Sequence, residues 1–92
     1  MEGPIKISFR ELSGRSIIGN KGGIIGTVTD VIFDENTGKI VSLDIEPSEQ
    51  SPIPQSEGCY HLVPYRIVLA IKNVIIIDES KVNTIKKIDK NK

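Results

Sequence analysis

Apolar and polar residues alternate along this chain with a period of two, in short runs divided by turn residues, which predicts strands and no helix of any length. Six strands are expected, over residues 16–19, 24–34, 39–46, 61–63, 68–71 and 74–78, after a lead-in at 5–9. Asn20-Lys21-Gly22-Gly23 turns the first strand into the second, with Gly22 and Gly23 free to take the positive φ such a turn requires. In the long second strand Val28, Val31 and Phe33 cannot share a face at period two, so a bulge or sharp bend is expected near Thr29-Asp30. Asp34-Glu35-Asn36-Thr37-Gly38 reads as a hairpin loop, Asp34 capping the turn amides and Gly38 left-handed. In the third strand Val41, Leu43 and Ile45 mark a core face, and Ser42 and Asp44 a wet one. Pro64 fits the start of a corner with one short helical turn. Lys72-Asn73 turns the final hairpin. Residues 47–58, PSEQSPIPQSEG, form an exposed loop.

Composition sharpens this picture. The chain has 17 Ile and 7 Val against 4 Leu and 1 Ala, so its apolar residues are mostly β-branched, stiff at χ1 and suited to strands. Its 92 residues allow one domain with a modest core and leave little room for a deep active site. The single Cys excludes an internal disulfide and fits a cytoplasmic setting. The start Met1-Glu2-Gly3-Pro4 is unlike a signal peptide. The longest apolar stretch, Val74 to Ile77, is far too short to insert in a membrane as a helix.

The net charge of zero is unevenly built. Residues 1–80 carry 7 Lys or Arg and 11 Asp or Glu, whereas residues 81–92 carry 5 Lys and 1 Asp. An acidic body disfavours nucleic acid, whose binding rests on cations that displace phosphate counterions. The basic tail, 79–92, reads as a frayed, solvated end.

Taken in order, Leu12-Ser13-Gly14, Ile17-Ile18-Gly19, Gly22 to Gly26, Val28 to Asp34, Thr37-Gly38-Lys39-Ile40, Val63-Pro64-Tyr65, Val68 and Ala70-Ile71 resemble a stand-alone PRC-barrel domain over residues 10–78. That family occurs in the photosynthetic reaction-centre H subunit, in the ribosome maturation factor RimM and as single-domain archaeal proteins. The resemblance implies an all-β fold, a small six-stranded barrel with a bulged long strand. It also implies a non-enzymatic adaptor that binds other proteins. The loop 47–58 and the segment beyond Asp78 fall outside the pattern.

Four other constellations compete for chemistry. Ile17 to Ile25 matches the I-I-G-x-x-G-x-x-I clamp of KH domains, which would make Gly19 to Gly22 a single-stranded RNA site. Such a clamp joins two helices, and the β-branched run after Gly26 is poor helix sequence. The clamp also offers one cation, Lys21, where several phosphates need holding. Asp34-x-Asn36-x-Gly38 starts like a calcium loop but has Ile45 where the closing carboxylate belongs. Cys59 and His61 share a strand face, yet two ligands make no zinc site and no residue evidently orients them for catalysis. They read as a small core thiol and a surface imidazole. Asp30 and Asp44 sit where neighbouring strands would pair them, as two carboxylates on a wet face. No catalytic, cofactor or metal site is assigned.

A binding module remains. If Ile75 and Ile77 face inward, Val74 and Ile76 face outward, so the last strand is apolar on both sides and its outer stripe needs cover. A second copy of the chain is the expected cover, an isologous homodimer with Val74 and Ile76 at its surface. The lead-in, or Ile85 and Ile88 of the tail, would supply cover within one chain instead.

Overall fold

The computed structural model describes residues 9–90. A single helical turn, α1 (Phe9–Leu12), leads into β1 (Ser16–Gly19), β2 (Ile24–Phe33), β3 (Ile40–Pro47) and β4 (Cys59–Pro64). A 3₁₀ turn at Tyr65–Ile67 precedes β5 (Val68–Ile71) and β6 (Ile75–Ile77), and a kinked 3₁₀ segment at Glu79–Thr84 precedes β7 (Lys86–Asp89). The strands form one sheet in the order β5-β6-β1-β2-β3-β4-β7. Every neighbouring pair is antiparallel except β1 with β6.

Local chemistry places these elements. Gly22 takes φ 94° and Gly38 φ 73°, each closing a hairpin that an L side chain would strain. Asp34 Oδ1 accepts the Asn36 amide at 2.8 Å, and the Gly38 amide donates to Asp34 O at 2.8 Å. The expected bulge lies where the β2–β3 register skips a residue between Val28 and Asp30. Pro64 stands as the cap of the 3₁₀ turn, extended at φ −60° and ψ 134°.

The core forms a single cluster. Leu12, Ile17, Ile25, Val28, Val31, Leu43, Ile45, Val63, Ile67, Ile75 and Ile77 pack together, drawing on α1, the 3₁₀ turn and every strand from β1 to β4 and β6. Strands two or more places apart in the sheet meet in that cluster, so the sheet is rolled around it. The hydrogen-bonded order nevertheless begins at β5 and ends at β7, so the sheet does not close.

Three expectations give way. The sheet has seven strands rather than six, because the tail pairs with β4, Cys59 opposite Asp89 and Leu62 opposite Lys86. Ile85 packs against the core and brings the following lysines to the sheet edge, where charge discourages pairing with another chain. In β3, Val41 is 50% exposed while Asp44 is buried. Residues 43–45 are all buried, because the loop 47–58 folds back and shares a cavity with Asp44. His61, expected at the surface, is 4% exposed. It sits beneath Ile53 and Pro54 of the loop and Ile85 of the tail segment, while Cys59 is half-buried. The lead-in at 5–9 lies, apart from Phe9, outside the described residues.

Gly26 stands in β2 opposite Pro47. A Cβ there would lie 3.0 Å from Glu46 C and Pro47 Cα, and closer still to Glu46 O. These are backbone atoms of a paired strand and cannot swing away. Gly26→Ala is therefore expected to destabilise the fold by about 2 kcal/mol, read as a lower urea midpoint at unchanged slope.

Candidate interaction surface

The register of the sheet assembles an apolar row on its outer side. Ile18 pairs with Ile24 of β2 on one side and with Ile76 of β6 on the other, and Ile76 pairs with Ala70 of β5. Cross-strand partners point to the same side of a sheet, so Ile24, Ile18, Ile76 and Ala70 run side by side across four strands. Their neighbours Ile17, Ile75 and Ile77 are 0% exposed on the inner side, which fixes the alternation. Ile18 and Ile76 are half-buried, Ile24 is 48% exposed and Leu69, at the β5 bulge beside Ala70, is 55% exposed. Val74, half-buried, precedes β6 on the same parity as Ile76. The tail does not cover this row, since it pairs with β4 and its Ile88 stands opposite Tyr60.

Sequence reading reaches Val74 and Ile76 but misses Ile18, Ile24, Leu69 and Ala70. The outward residues of β6 follow from its own alternation, whereas their neighbours depend on the parallel pairing of β1 with β6, which no local signal carries.

The glycine loop after β1 joins two strands, not two helices. Its amides are already engaged. Glu79 Oε1 accepts from Lys21 N at 3.1 Å and from Gly23 N at 3.0 Å, and Asn20 Oδ1 accepts the Glu79 amide at 3.0 Å. A Cβ on Gly19 or Gly23 would run into the Glu79 side chain, so these glycines make room for a carboxylate of the same chain. Asp78 beside it accepts from the amide and hydroxyl of Ser80 at 3.1 and 2.6 Å. The Ser80 hydroxyl is the main reason that the Asp78 carboxyl titrates below its ordinary 3.8, with Lys81 and Lys21 adding to the effect.

The remaining candidates resolve into structure. Asp34 spends its oxygen on the amides of its own turn, and no group of three metal-ligating side chains gathers among the described residues. Asp30 and Asp44 are opposite one another as expected, but in different settings. Asp30 Oδ1 accepts from Val31 N, whereas buried Asp44 Oδ1 accepts from His61 N at 3.2 Å. Tyr60 carries Lys90 Nζ at 5.0 Å from its ring centroid.

A small all-β domain, with a rolled sheet, a bulged long strand and an outward apolar row, is the class these features define. The chain belongs to the PRC-barrel domain family, which it matches over residues 4–83. It is 51% identical over 82 residues to an uncharacterized protein of Methanocaldococcus jannaschii, MJ1118, covering 89% of this chain and 88% of that one. Among solved structures, RimM of Pseudomonas aeruginosa, described as a 16S ribosomal RNA processing protein, superposes with a TM-score of 0.58 at 17% identity. The match covers 78% of this chain and 43% of RimM, so the chain spans less than half of that protein, and the likeness is one of fold.

Two outcomes follow from Glu79 and Asp78. Glu79→Ala leaves the loop amides without their charged acceptor and is expected to cost about 1.5–3 kcal/mol, measured by urea unfolding, with large shifts of the Lys21 and Gly23 amide resonances. Asp78 has a lowered folded pKa, so its contribution to stability is present above the ordinary 3.8 and is lost as pH falls through the folded value. Ser80→Ala should move the Asp78 carboxyl titration upward toward 3.8 by carbon-detected NMR, and an unchanged midpoint would refute the assignment.

Proposed function

We propose that this chain is a non-enzymatic protein-interaction module of the cytoplasm that associates with a second copy of itself through the outer row of β1, β2, β5 and β6. The observation that supports this reading is the alignment of Ile24, Ile18, Ile76 and Ala70 across four strands, flanked by exposed Leu69. A contiguous apolar stripe on a sheet face is the kind of surface that another protein covers, and a two-fold pair does so with one patch facing its own copy. No helix among the described residues is long and apolar enough to cross a membrane. Single-stranded RNA binding at Gly19 to Gly22 is the competing reading, and the occupation of that loop by Glu79 weighs against it.

Light scattering on the intact chain tests the proposal. The wild type should have the mass of a dimer, and Ile76→Glu should have that of a monomer, because a charge at the centre of an apolar interface costs on the order of 2 kcal/mol or more. Leu69→Lys, at an exposed position that folding does not require, should weaken the dimer with an unchanged circular dichroism spectrum. Lys21→Glu should leave the mass as it was. A monomeric wild type, or dimers that survive both apolar-row substitutions, would remove this surface from consideration.

A further inference from the structure

The sheet has two open edges, and they are built differently. At one end of the strand order stands β7, exposed throughout and carrying Lys86, Lys87 and Asp89, and charge of this kind keeps another strand from adding. At the other end stands β5, which pairs with β6 alone and has no charged side chain. Val68 and Ile71 pack against the core and Leu69 is 55% exposed. The free side of β5 therefore offers main-chain donors and acceptors beside apolar side chains, with nothing to repel an incoming strand. The charges lie at its ends. Exposed Arg66 precedes β5 and exposed Lys72 follows it, and the Arg15 guanidinium donates to Lys72 O, which brings a second cation to that end. Residues 1–80 hold 7 cations against 11 carboxylates, and three of the 7 gather at this one strand. Asp78, whose amide donates to Ile67 O, turns its carboxylate to Ser80.

We propose that the free edge of β5 takes a short extended segment of another protein as an added strand, a segment apolar along its middle and acidic at both ends. Main-chain hydrogen bonds supply the pairing and the side chains supply the selection. A carboxylate at one end of the segment meets Arg66 and a carboxylate at the other meets Lys72 and Arg15, whichever way the segment runs. A second copy of β5 fits poorly. Antiparallel pairing of two such edges sets Arg66 of each copy near Lys72 of the other, and like charges opposite one another destabilise a strand pair. The register shift between Val68 and Ala70 also interrupts the edge, which leaves room for a few residues and not for a long seam between sheets. The edge lies apart from the outer face that Ile18 and Ile76 form, so this proposal does not rest on self-association.

The test is a titration of the full chain by ¹H–¹⁵N NMR with three end-blocked peptides, EVTVTVE, KVTVTVK and EVTPTVE, with light scattering on the same samples. EVTVTVE should give saturable shifts centred on residues 68–72. KVTVTVK should bind about tenfold more weakly, since two exposed charge pairs change sign. EVTPTVE should not saturate, because the proline removes a main-chain donor and does not fit a paired strand. Arg66→Glu combined with Lys72→Glu, both at exposed positions, should reverse the preference between the acidic and basic peptides with an unchanged circular dichroism spectrum. The proposal is overturned if EVTVTVE does not saturate, if the lysine or the proline peptide binds as well, or if the charge-reversed variant keeps the wild-type preference. A fall in mass from dimer to monomer on adding EVTVTVE would place a second copy on this edge and overturn it too.

Discussion

The parallel pairing of β1 with β6 is the contact on which the rest of this structure depends. It joins segments that are distant in sequence, so the chain must close a long loop before the pairing returns any stability. That return has two parts. Ile17 and Ile75 are brought together with exposures of 0%, and the Glu79 carboxylate reaches residues 58 and 56 positions away, at the amides of Lys21 and Gly23. The turn Asn20 to Gly23 thus does more than reverse the chain. It is a small concave set of N–H donors that a free anion could fill, and the chain fills it with its own carboxylate. The hydrogen bond from Asn20 N to Ile77 O at 2.9 Å extends the same seam, so the loop, β6 and the segment after it behave as one locked unit.

Whatever depends on local signals was legible before the structure. Gly22, Gly38, Asp34 and Pro64 occupy the turns expected of them, and the irregular spacing of Val28, Val31 and Phe33 marks the bulge. Gly23 is part of the first turn, but positive φ falls on Gly22 and not on it. The alternation of β6 put Ile75 and Ile77 inside and Ile76 outside. The partner of β6 could not be read in this way, because period two says which face a residue occupies and nothing about which strand lies alongside. Ile18 and Ile24 therefore joined Ile76 in one row only once the register was known.

The burial of Asp44 and His61 and the pairing of the tail with β4 share one physical cause. Composition, basic in the tail and rich in proline and serine in the loop 47–58, predicts that both segments are solvated. Each carries apolar anchors in an otherwise polar stretch, Val82 and Ile85 in the tail and Ile53 in the loop, and all three pack against the core. Those anchors draw the flanking residues over β3 and β4, and Asp44 and His61 become buried by covers that composition alone treats as solvent. A polar segment is held by what its few apolar residues can reach, and the mean composition of the segment does not contain that information.

The rolled sheet divides its surfaces between strands. β2, β1, β6 and β5 present the apolar row, and β3, β4 and the loop 47–58 line the cavity beside Asp44 and His61. The two are joined through the β2–β3 pairing, whose bulge between Val28 and Asp30 bends the sheet where one set of strands gives way to the other. A pair of chains in contact through the row would leave the loop 47–58 and β7 outside the contact, so each copy would keep its own cavity accessible.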